Sequence, residues 1–517
     1  MAIYCFTSIS FSMKRPFLSL SISLLFFGFL HAQSPGSLDL TFGGTGYVTK
    51  DVLSENNISS EVFLQPDGKI VTLGNSGNSF GYTSVVALRY LSDGTLDPGF
   101  GNAGVFREAS FGYPVSSIDY CELWSGALQA DGKVVLAGIF HGFNIGLFTF
   151  IIRLNANGTK DASFGTNGLF VAPVINYAEP RDKPLKIGIL QDGKIILFTG
   201  VKSTDKFSLL RVNANGTSDA FFGVNGWLDV PSSLGPVFSM TAVDLLVQPD
   251  GKILVSGTAA TAPNLSKGYI FRFFPDGTFD NSLSSNCELL LSGGSRIALY
   301  PDGKMLLNGF QGLSRYHPDG SIDNTFGSNG TVQIPLSIRN CIVQMDGKIV
   351  CVGIENGRAY LLRRKADGSS DQSFGNSGGG YILLPAPSMY NEVLQQPDGK
   401  LVACGVKDAN FLLGRHFSQT VSASEEVEIF QQFAFGPNPS SGDFSLHFQL
   451  AEAQKMSISL FDLTGQLVRT LEPENILPSG EHNIAVNISD LPAGNYVVRI
   501  EGDQGEKSLK IQLLGKN

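Results

Sequence analysis

Arginine and aspartate recur as pairs along the chain, and such pairs can either bind anions or hold a fold together. Six arginines have an aspartate eight residues later: Arg89 and Asp97, Arg153 and Asp161, Arg211 and Asp219, Arg272 and Asp280, Arg315 and Asp323, Arg363 and Asp371. A single active site rarely uses every repeat equally, whereas arginine–carboxylate forks are common in packed structures. The repetition therefore favours a structural ion pair or a backbone-capping arginine over an anion site.

The same segments contain a short Asp-Gly-x-x-Asp element with some likeness to a calcium-binding loop, as at Asp93 to Asp97. An EF-hand loop also needs a ladder of Asp or Asn ligands and a distant Glu, and the repeats have neither. Asp and Asn are strongly preferred in turns because their side chains bond the nearby backbone. We therefore interpret these residues as turn formers.

No other pattern indicates catalysis, a metal or a cofactor. The histidines beyond the N-terminal segment have no metal-ligand spacing; they are His141, His317, His416, His447 and His482. There is no Gly-x-Ser-x-Gly elbow and no phosphate-binding Walker loop. The acids outside the repeat frame are too unspecific to be given catalytic roles; among them are Asp119, Glu122, Glu179 and Asp182. No catalytic, cofactor-binding or metal-binding residue is assigned.

Three large aromatic residues, Tyr113, Tyr120 and Trp124, lie in an insertion at 107–125 that the other repeats lack. If they are exposed, their rings could stack on a sugar or on a protein surface. If they are buried, they would cover the end of a repeat unit. We favour the second role because large aromatic side chains are mostly structural.

The cysteines argue against a disulfide framework or a zinc site, with one exception. Five of the six are scattered beyond Cys5, without Cys-x-x-Cys spacing. Cys341 and Cys351 flank the turn at 345–347 and would fall opposite each other on paired strands. A cross-strand disulfide and a pair of small buried residues both fit this spacing.

Hairpins must position all of these residues. An Asp-Gly-Lys turn occurs seven times, beginning at Asp67, Asp131, Asp192, Asp250, Asp302, Asp346 and Asp398. Apolar or β-branched residues flank each copy, and a Gly usually ends the second flank. Because Asp bonds its own backbone and Gly accepts the left-handed conformation, each copy predicts a three-residue hairpin loop with a G1 bulge.

The ends of the array predict a closed ring. Arg415 opens a seventh strand, but Ala423 stands where an aspartate is expected. The missing turn lies at the other end of the array, at 35–43, and contains Asp39. In a ring the first residues would complete the last unit, so Asp39 is predicted to lie near Arg415. Seven units of about four strands predict an all-β fold, a seven-bladed β-propeller.

The unit resembles a known family. The Gln-Pro-Asp-Gly-Lys-Ile turn at 65–70 and the Arg-x-x-x-Asp-Gly-x-x-Asp-x-x-Phe-Gly-x-x-Gly element that begins at Arg89 are similar to the delta-60 repeat of bacterial extracellular proteins. The resemblance covers about 35–418 and implies a propeller-like array without implying an activity. The unit at Arg272 departs from it, because Leu283 replaces the usual Phe.

Residues 433–517 lack the repeat and alternate short strands with Gly- and Pro-containing turns, which predicts a small antiparallel β-sandwich. This segment closely resembles the type A C-terminal sorting domain of the type IX secretion system of Bacteroidota. The matching positions are Pro437, Asn438, Pro439, Gly442, Phe444, Asp462, Gly465, Pro492, Gly494 and Tyr496. The resemblance implies recognition by the outer-membrane secretion machinery, cleavage near the linker, and release or anchoring at the cell surface.

The N-terminus predicts an export signal. Two cations, Lys14 and Arg15, precede an apolar run at 17–30, which suits a signal peptide and is short for a membrane span. Cleavage between Ala32 and Gln33 would produce the mature chain, which is expected to lack any transmembrane segment.

The predicted organisation has four parts: a signal peptide at 1–32 with Met13 as the suspected true start, a propeller at 33–418, a polar linker at 419–432 and the sorting domain at 433–517. The formal net charge of −9 without a basic stripe disfavours nucleic-acid binding.

The sequence predicts a secreted or cell-surface propeller that acts as a binding or interaction scaffold for an extracellular protein or glycan. The variable insertions at 107–125, 172–186 and 228–243 are where binding is expected. One alternative is an extracellular glycan-active hydrolase or lyase, which should place two acids, or an acid and a His, together on one face of the ring. A structural envelope component is a further alternative.

Overall fold

Seven four-stranded antiparallel sheets, here called blades 1 to 7, form the larger part of the computed structural model. The structure describes residues 34–514, except 53–55, 79–80, 143–145, 174–185, 201–205, 232–238, 263–264, 284–287, 292–295, 310–311, 376–378, 420–430, 437, 439, 441, 451–452, 463–466 and 503–504. The predicted signal peptide and most of the predicted linker lie outside the described residues.

Each of blades 1 to 6 takes its four strands consecutively from the chain, and we call them strands a, b, c and d in that order. The strands are β2 (Asn57–Leu64), β3 (Ile70–Asn78), β4 (Gly81–Tyr90) and β5 (Val105–Glu108) in blade 1; β6 (Ile118–Leu128), β7 (Val134–Gly142), β8 (Gly146–Leu154) and β9 (Leu169–Pro173) in blade 2; β10 (Lys186–Ile189), β11 (Ile195–Gly200), β12 (Lys206–Val212) and β13 (Trp227–Pro231) in blade 3; β14 (Ser239–Val247), β15 (Ile253–Ala262), β16 (Leu265–Phe273) and β17 (Glu288–Leu291) in blade 4; β18 (Arg296–Leu299), β19 (Met305–Gly309), β20 (Gly312–Tyr316) and β21 (Thr331–Gln333) in blade 5; and β22 (Ser337–Val343), β23 (Ile349–Glu355), β24 (Arg358–Arg364) and β25 (Tyr381–Leu383) in blade 6. A single 3₁₀ turn, Val115–Ser117, occurs among the described residues between β5 and β6.

Blade 7 closes the ring with both ends of the array. Its strands a to c are β26 (Ser388–Gln395), β27 (Leu401–Lys407) and β28 (Asn410–His416), and strand d is the N-terminal β1 (Tyr47–Lys50). The Nε of Arg415 donates to Oδ2 of Asp39 at 2.7 Å, which confirms the predicted closure. One expectation was wrong: Arg415 does not open a strand but is the penultimate residue of β28. Its side chain therefore reaches the turn that follows its own strand.

The predicted hairpin loop is present. In blade 1 the N–H of Gln65 donates to the carbonyl of Lys69 at 2.9 Å, and Gly68 adopts a φ of +80°. The same positive φ recurs at the glycine of all seven Asp-Gly-Lys turns, as the type I turn with a G1 bulge requires.

A β-bulge interrupts strand a and explains the glycine that ends the second flank. In blade 1 the register between β2 and β3 shifts between Ser59 and Glu61, directly beside Gly74. A Cβ at Gly74 would lie 1.9 Å from the carbonyl oxygen of Ile58. The same clash would occur at 2.0 Å for Gly138, Gly353 and Gly405. Glycine is needed here because the bulge brings the neighbouring backbone too close for any side chain.

The core lies between neighbouring blades. Both faces of strands b and c are covered, so consecutive residues such as Val134, Val135 and Leu136 are all fully buried. A strand that is buried on both faces reads as a continuous apolar run rather than an alternating one.

The C-terminal part forms two antiparallel sheets around one core, as predicted. One sheet has the order β29 (Gln431–Gly436), β30 (Asp443–Leu450) and β33 (Gly480–Asn487); the other has the order β32 (Leu467–Leu477), β31 (Gln454–Asp462), β34 (Gly494–Gly502) and β35 (Gly505–Leu513). Leu446 of the first sheet and Leu460 and Val498 of the second are fully buried in a shared cluster. Strand β29 begins within the last two residues of the predicted linker.

His416 holds the ring closure from inside. It is fully buried, its Nδ1–H donates to the carbonyl of Gly36 at 2.9 Å, and its Nε2 accepts from the hydroxyl of Tyr390 at 2.9 Å. Burial lowers the pKa of His416 to about 4, because the bond to the Gly36 carbonyl and the charge of Asp39 only partly offset the cost of desolvating the imidazolium. The neutral imidazole thus links the N-terminal segment to blade 7.

This arrangement predicts acid-sensitive stability. Between pH 6.5 and 4 the unfolded chain protonates His416 while the folded chain does not, so the free energy of unfolding should fall by about 3 kcal/mol as the pH drops through this window. A His416→Gln variant should lack this component, whereas His317→Gln, at a half-exposed histidine, should keep it. Urea midpoints measured from pH 4 to 8 check this, and equal pH slopes for wild type and His416→Gln would contradict it.

Candidate functional site

One face of the propeller, here called the regular face, carries the Asp-Gly-Lys turns and the connections between strands c and d. In an antiparallel sheet that follows the chain, these a–b and c–d connections lie at the same end. The b–c turns and the links to the next blade lie at the other end, here called the variable face.

Each repeated aspartate on the regular face is the centre of an ion cluster. In blade 2, Oδ2 of Asp161 accepts from Nε of Arg153 at 2.8 Å and from Nζ of Lys133 at 3.3 Å. Oδ1 of Asp161 accepts from the hydroxyl of Ser163 at 2.7 Å. These donors outweigh burial, which alone would raise the pKa of the carboxyl, so that the pKa of all seven aspartates is lowered.

The arginine of each cluster also reaches the next blade. Arg153 donates through NH1 to the carbonyl of Ala214 in blade 3 and lies over the ring of Phe164, 4.6 Å from its centroid. All seven arginines bond a carbonyl of the following blade: Arg89 to Ala156, Arg153 to Ala214, Arg211 to Pro275, Arg272 to Pro318, Arg315 to Ala366, Arg363 to Ser418 and Arg415 to Ser92. We call these contacts the blade clasps. The structural interpretation of the arginine–aspartate pairs is confirmed.

Two exceptions show which parts of a clasp can vary. Leu283 fills the fully buried place of the missing Phe in blade 4, and Arg272 keeps its 2.8 Å bond to Asp280. In blade 6, Lys348 pairs with its own turn residue Asp346, as the other turn lysines do, but among the described residues it makes no ion pair with the buried Asp371. The arginine and the aspartate are therefore the parts that every blade retains.

The predicted turn-forming role of the first aspartate in the Asp-Gly-x-x-Asp element is also confirmed. Oδ1 of Asp93 accepts from the N–H and the hydroxyl of Thr95 at 2.9 and 2.7 Å. Among the described residues, no group of three or more His, Cys, Asp or Glu side chains is arranged to hold a metal ion.

Around the axis, strand a of every blade contributes one polar residue at the same position, six residues before the aspartate of the Asp-Gly-Lys turn. These seven residues, the axial ring, are Glu61, Ser125, Lys186, Asp244, Arg296, Asn340 and Glu392. These residues were not predicted from the sequence, although the position six residues before each turn aspartate is polar in all seven units. Its neighbours are mostly apolar, so the pattern was a usable signal.

Short and long members of the axial ring behave differently. The hydroxyl of Ser125 accepts from the N–H of Ile187 at 3.4 Å, and Oδ2 of Asp244 accepts from the N–H of Ile297 at 2.9 Å. These short side chains therefore tie their blade to the next one. The longer side chains of Glu61 and Lys186, from blades 1 and 3, meet at 3.0 Å across the ring.

Two carboxyl groups meet in the axial ring. Glu61 and Glu392, from blades 1 and 7, lie close enough for each carboxyl group to shift the pKa of the other. Burial and the neighbouring Glu61 carboxylate raise the pKa of Glu392 well above its usual value. The pKa of Glu61 is lowered: burial opposes its ionisation, but the charge of Lys186 outweighs that effect. With Glu392 protonated, the carboxylates of Glu61 and Asp244 balance the cations of Lys186 and Arg296.

The variable face carries a second cluster, in blade 2. Nδ1 of His141 and Oδ2 of Asp119 are 2.5 Å apart, and the ring of Tyr120 stacks on His141 with centroids 5.6 Å apart and an interplanar angle of 17°. The His141 side chain is 35% exposed and that of Asp119 is 23% exposed. We call Asp119, Tyr120 and His141 the blade-2 patch.

The other insertion aromatics pack inward. Tyr113 lies 5.9 Å from the ring of Phe140 and 6.1 Å from that of Phe148, and Trp124 occupies the bulge of β6 and is partly buried. These contacts favour the structural role for Tyr113. Among the acidic residues that do not belong to the repeat, Asp119 lies in the blade-2 patch, whereas Glu179 and Asp182 are outside the described residues.

Cys341 and Cys351 lie directly opposite each other on β22 and β23, with Cα atoms 4.1 Å apart, and a disulfide joins them in the structure. Cys121 and Cys404 are buried free thiols. Burial raises the pKa of both thiols, so neither is an activated nucleophile.

The sorting-domain motif residues hold strand ends in place. The side chain of Asn438 donates to the carbonyl of Lys510 at 2.9 Å and accepts from the N–H of Gln512 at 2.8 Å. Phe444 is buried in the core, and the hydroxyl of Tyr496 donates to the carbonyl of Pro492 at 2.8 Å.

The remaining motif positions have narrower roles. Gly442 has a φ of +131°, and a Cβ there would lie 2.4 Å from Ser489. Asp462 pairs with Tyr496 across β31 and β34, and Gly494 begins β34. Pro437, Pro439 and Gly465 lie outside the described residues.

Comparison with known families agrees with both parts of the chain. Residues 435–513 match the family described as a secretion system C-terminal sorting domain. The chain carries a type IX secretion sorting domain. Residues 65–100, 129–164, 248–283 and 301–326 match a β-propeller domain of unknown function, DUF5122. The sorting domain marks the chain for export to the cell surface or the medium, and no helix of the described residues is long and apolar enough to span a membrane.

Solved structures with similar folds belong to several classes of protein. A gluconolactonase from Xanthomonas campestris has 14% identity and a TM-score of 0.33, with 58% of this chain and 91% of that chain covered. The polysaccharide lyase Uly1 has 10% identity and a TM-score of 0.37, with 75% and 96% covered. A Trypanosoma rangeli sialidase has 11% identity and a TM-score of 0.37, with 88% and 91% covered. Such values carry no information about activity, and no curated protein matches the chain.

The raised pKa of Glu392 predicts an unequal response to two substitutions. Glu392→Gln mimics the protonated carboxyl, so its free energy of unfolding should match that of wild type to within about 1 kcal/mol at pH 4 and should exceed it at pH 7, where ionisation of Glu392 stabilises only the unfolded wild type. The double variant Glu61→Gln/Glu392→Gln leaves Lys186 without a carboxylate partner and should be about 3–5 kcal/mol less stable than Glu392→Gln. Urea denaturation of the two variants measures both effects.

The pH dependence provides the control for this prediction. The pKa of Glu392 is raised in the folded state, so the unfolded chain ionises this group at a lower pH than the folded chain does. The stability that Glu392 contributes is therefore complete below pH 4.5 and is lost as the pH rises from 4.5 to the pKa of the folded state. Glu392→Gln should therefore become more stable relative to wild type as the pH rises. A loss for Glu392→Gln as large as that of the double variant would show that both carboxyls are ionised.

Proposed function

We propose that this exported propeller is a binding scaffold that acts at the cell surface or in the medium, and that its ligand site lies on the variable face. The proposal rests on a difference between the two faces: one holds the ring together, and the other varies from blade to blade. On the regular face the repeated arginines and aspartates are all engaged in blade clasps, as at Arg153 and Asp161. Their charges are therefore already paired within the protein.

The variable face has no such repeat. The segment between strand d of one blade and strand a of the next ranges from three residues at 334–336 to twelve at 174–185. Loops of different length on a rigid frame are the usual place for binding sites, because the frame tolerates their changes. The blade-2 patch lies at this end of the ring.

A glycan-active enzyme is the second candidate, and one observation favours it. Asp119 and His141 are an acid and a histidine in contact on the variable face, which is an arrangement that general base catalysis can use. The axial carboxyls do not favour it. The carboxylate of Glu61 is already paired with Nζ of Lys186 at 3.0 Å, whereas a glycosidase needs two carboxyl groups that face the substrate. A structural envelope component has no specific observation in its favour.

We further propose the processing that the sequence predicts: removal of 1–32 between Ala32 and Gln33, and cleavage of the sorting domain near the linker at 419–432. The intact mass of the protein from the cell surface or the medium should correspond to a chain from Gln33 to about residue 420. It should also be two hydrogens lighter than the reduced form, because Cys341 and Cys351 are joined. A full-length or fully reduced mass would contradict the corresponding step.

The proposed binding face is tested with two exposed hydrophobic residues. Val115 on the variable face is 60% exposed, and Met345 in a turn of the regular face is 83% exposed. The mature chain should be retained by immobilised envelope polysaccharide or envelope protein from its own organism. Val115→Lys should reduce retention severalfold, whereas Met345→Lys should leave it unchanged. Stronger loss with Met345→Lys would place the ligand on the regular face, and no retention by either fraction would overturn the scaffold proposal.

A further inference from the structure

The geometry of the blade-2 patch points to a sugar subsite: we propose that Asp119, Tyr120 and His141 bind an uncharged pyranose unit of an extracellular polysaccharide. This inference rests on the proposed function, since it places the ligand on the variable face. It goes further by naming the residues and the class of ligand.

The patch is not part of the repeat. His141 lies three residues after the glycine that ends the apolar run of strand b. The residues at the same position are Gly77 in blade 1, Ala260 in blade 4, Asn356 in blade 6 and Asp408 in blade 7. None of these residues offers an imidazole. The propeller frame does not require this histidine, whereas it requires the arginine and aspartate that every blade keeps.

The hydrogen-bond pattern leaves a polar atom for a ligand. Because the carboxylate of Asp119 can only accept, the short contact with Nδ1 is a donation from the imidazole. This fixes the orientation of the ring and leaves Nε2 as an acceptor in the neutral tautomer. Nε2 makes no hydrogen bond to any described residue. A sugar hydroxyl is a donor of the right kind for this nitrogen.

One aromatic ring adjoins this acceptor. Tyr120 pairs with His141 across β6 and β7, its ring stacks on the imidazole, and its side chain is partly exposed. Phe140, Phe148 and Tyr113 belong to the buried cluster on the opposite face of the sheet and support the strands that carry the patch. The C–H face of a pyranose can pack on an exposed edge of the Tyr120–His141 pair, and the polar groups of Asp119 and His141 would orient it.

Charge selects among sugars. Asp119 lies in the patch, Glu122 follows on the same strand, and the whole chain has a formal net charge of −9. Uronic acids, sulfated sugars and sialic acids would be repelled by these carboxylates, as would nucleic acids. Neutral hexoses would not be repelled, and their hydroxyl groups can donate a hydrogen bond to Nε2 of His141.

Binding of defined oligosaccharides to the mature chain tests the inference. Neutral hexose and pentose oligomers and uronate oligomers of equal length are titrated by calorimetry. A neutral oligomer should bind, and His141→Ala should weaken its binding about tenfold or more. The matched control His317→Ala removes a histidine that is 41% exposed near the regular-face Asp323 and should leave the affinity unchanged.

A second variant separates recognition from folding. Asp119→Asn keeps the size of the side chain, should weaken neutral binding severalfold, and should narrow the preference for neutral over uronate oligomers. Unchanged melting temperatures for the variants, together with weakened binding, support the proposal. Cleavage of the oligomer by wild type but not by His141→Ala also supports sugar recognition here and would make His141 a catalytic residue.

Three outcomes would overturn it. The first is neutral binding that His141→Ala and Asp119→Asn leave intact, which would move the sugar site elsewhere while the scaffold function stands. The second is a preference for uronate oligomers. The third is the absence of any glycan binding by a chain that envelope protein retains through Val115, which would refute the sugar subsite without refuting the binding scaffold.

Discussion

The blade clasp is the interaction on which the rest of the structure depends. A buried guanidinium has five N–H donors and no acceptor, so it must be surrounded by oxygens or it destabilises the fold. In blade 2, Arg153 meets this demand with Asp161 and Ser163 from its own blade, a carbonyl of the next blade and the face of Phe164. Lysine could not replace it, because a compact ammonium lacks the planar fork that serves two blades at once. Seven such clasps convert separate sheets into a ring.

Closing the ring brings seven strands close together at its axis, where polar side chains must be accommodated. Strand a of every blade contributes one polar side chain there, and a bulge places it in blades 1, 2, 4, 6 and 7. Short side chains such as Ser125 and Asp244 bond the backbone of the following blade. Long ones such as Glu61 and Lys186 meet across the axis, and protonation of Glu392 removes one negative charge. Polar groups can be buried here because backbone N–H groups and opposite charges stabilise them, as for Asp244 and Glu61.

The two faces follow from the same topology. Since the Asp-Gly-Lys turns and the clasps occupy one end of every blade, sequence change there would disturb the ring, whereas the other end has no such role. The blade-2 patch lies at that freer end, and its Asp119–His141 pair has no counterpart in the clasps. A protein exported by its sorting domain can thus vary its recognition loops while it keeps a constant frame.

The sequence by itself determined the features that depend on neighbours along the chain and on the count of repeats. The turn at Gln65–Lys69 and the arginine–aspartate spacing reflect short-range geometry, which is why the hairpins and the ion pairs could be predicted, and the half-repeat displaced to Asp39 completes the count of units, which is why ring closure could be predicted. Only the tertiary structure decided which other distant residues meet. Lys133 joins Asp161 from another turn, Glu61 meets Glu392 and Lys186 across the axis, and His141 contacts Asp119 across two strands. These contacts depend on blade orientation and on bulges that re-aim single side chains, and the local pattern of residues does not contain that information.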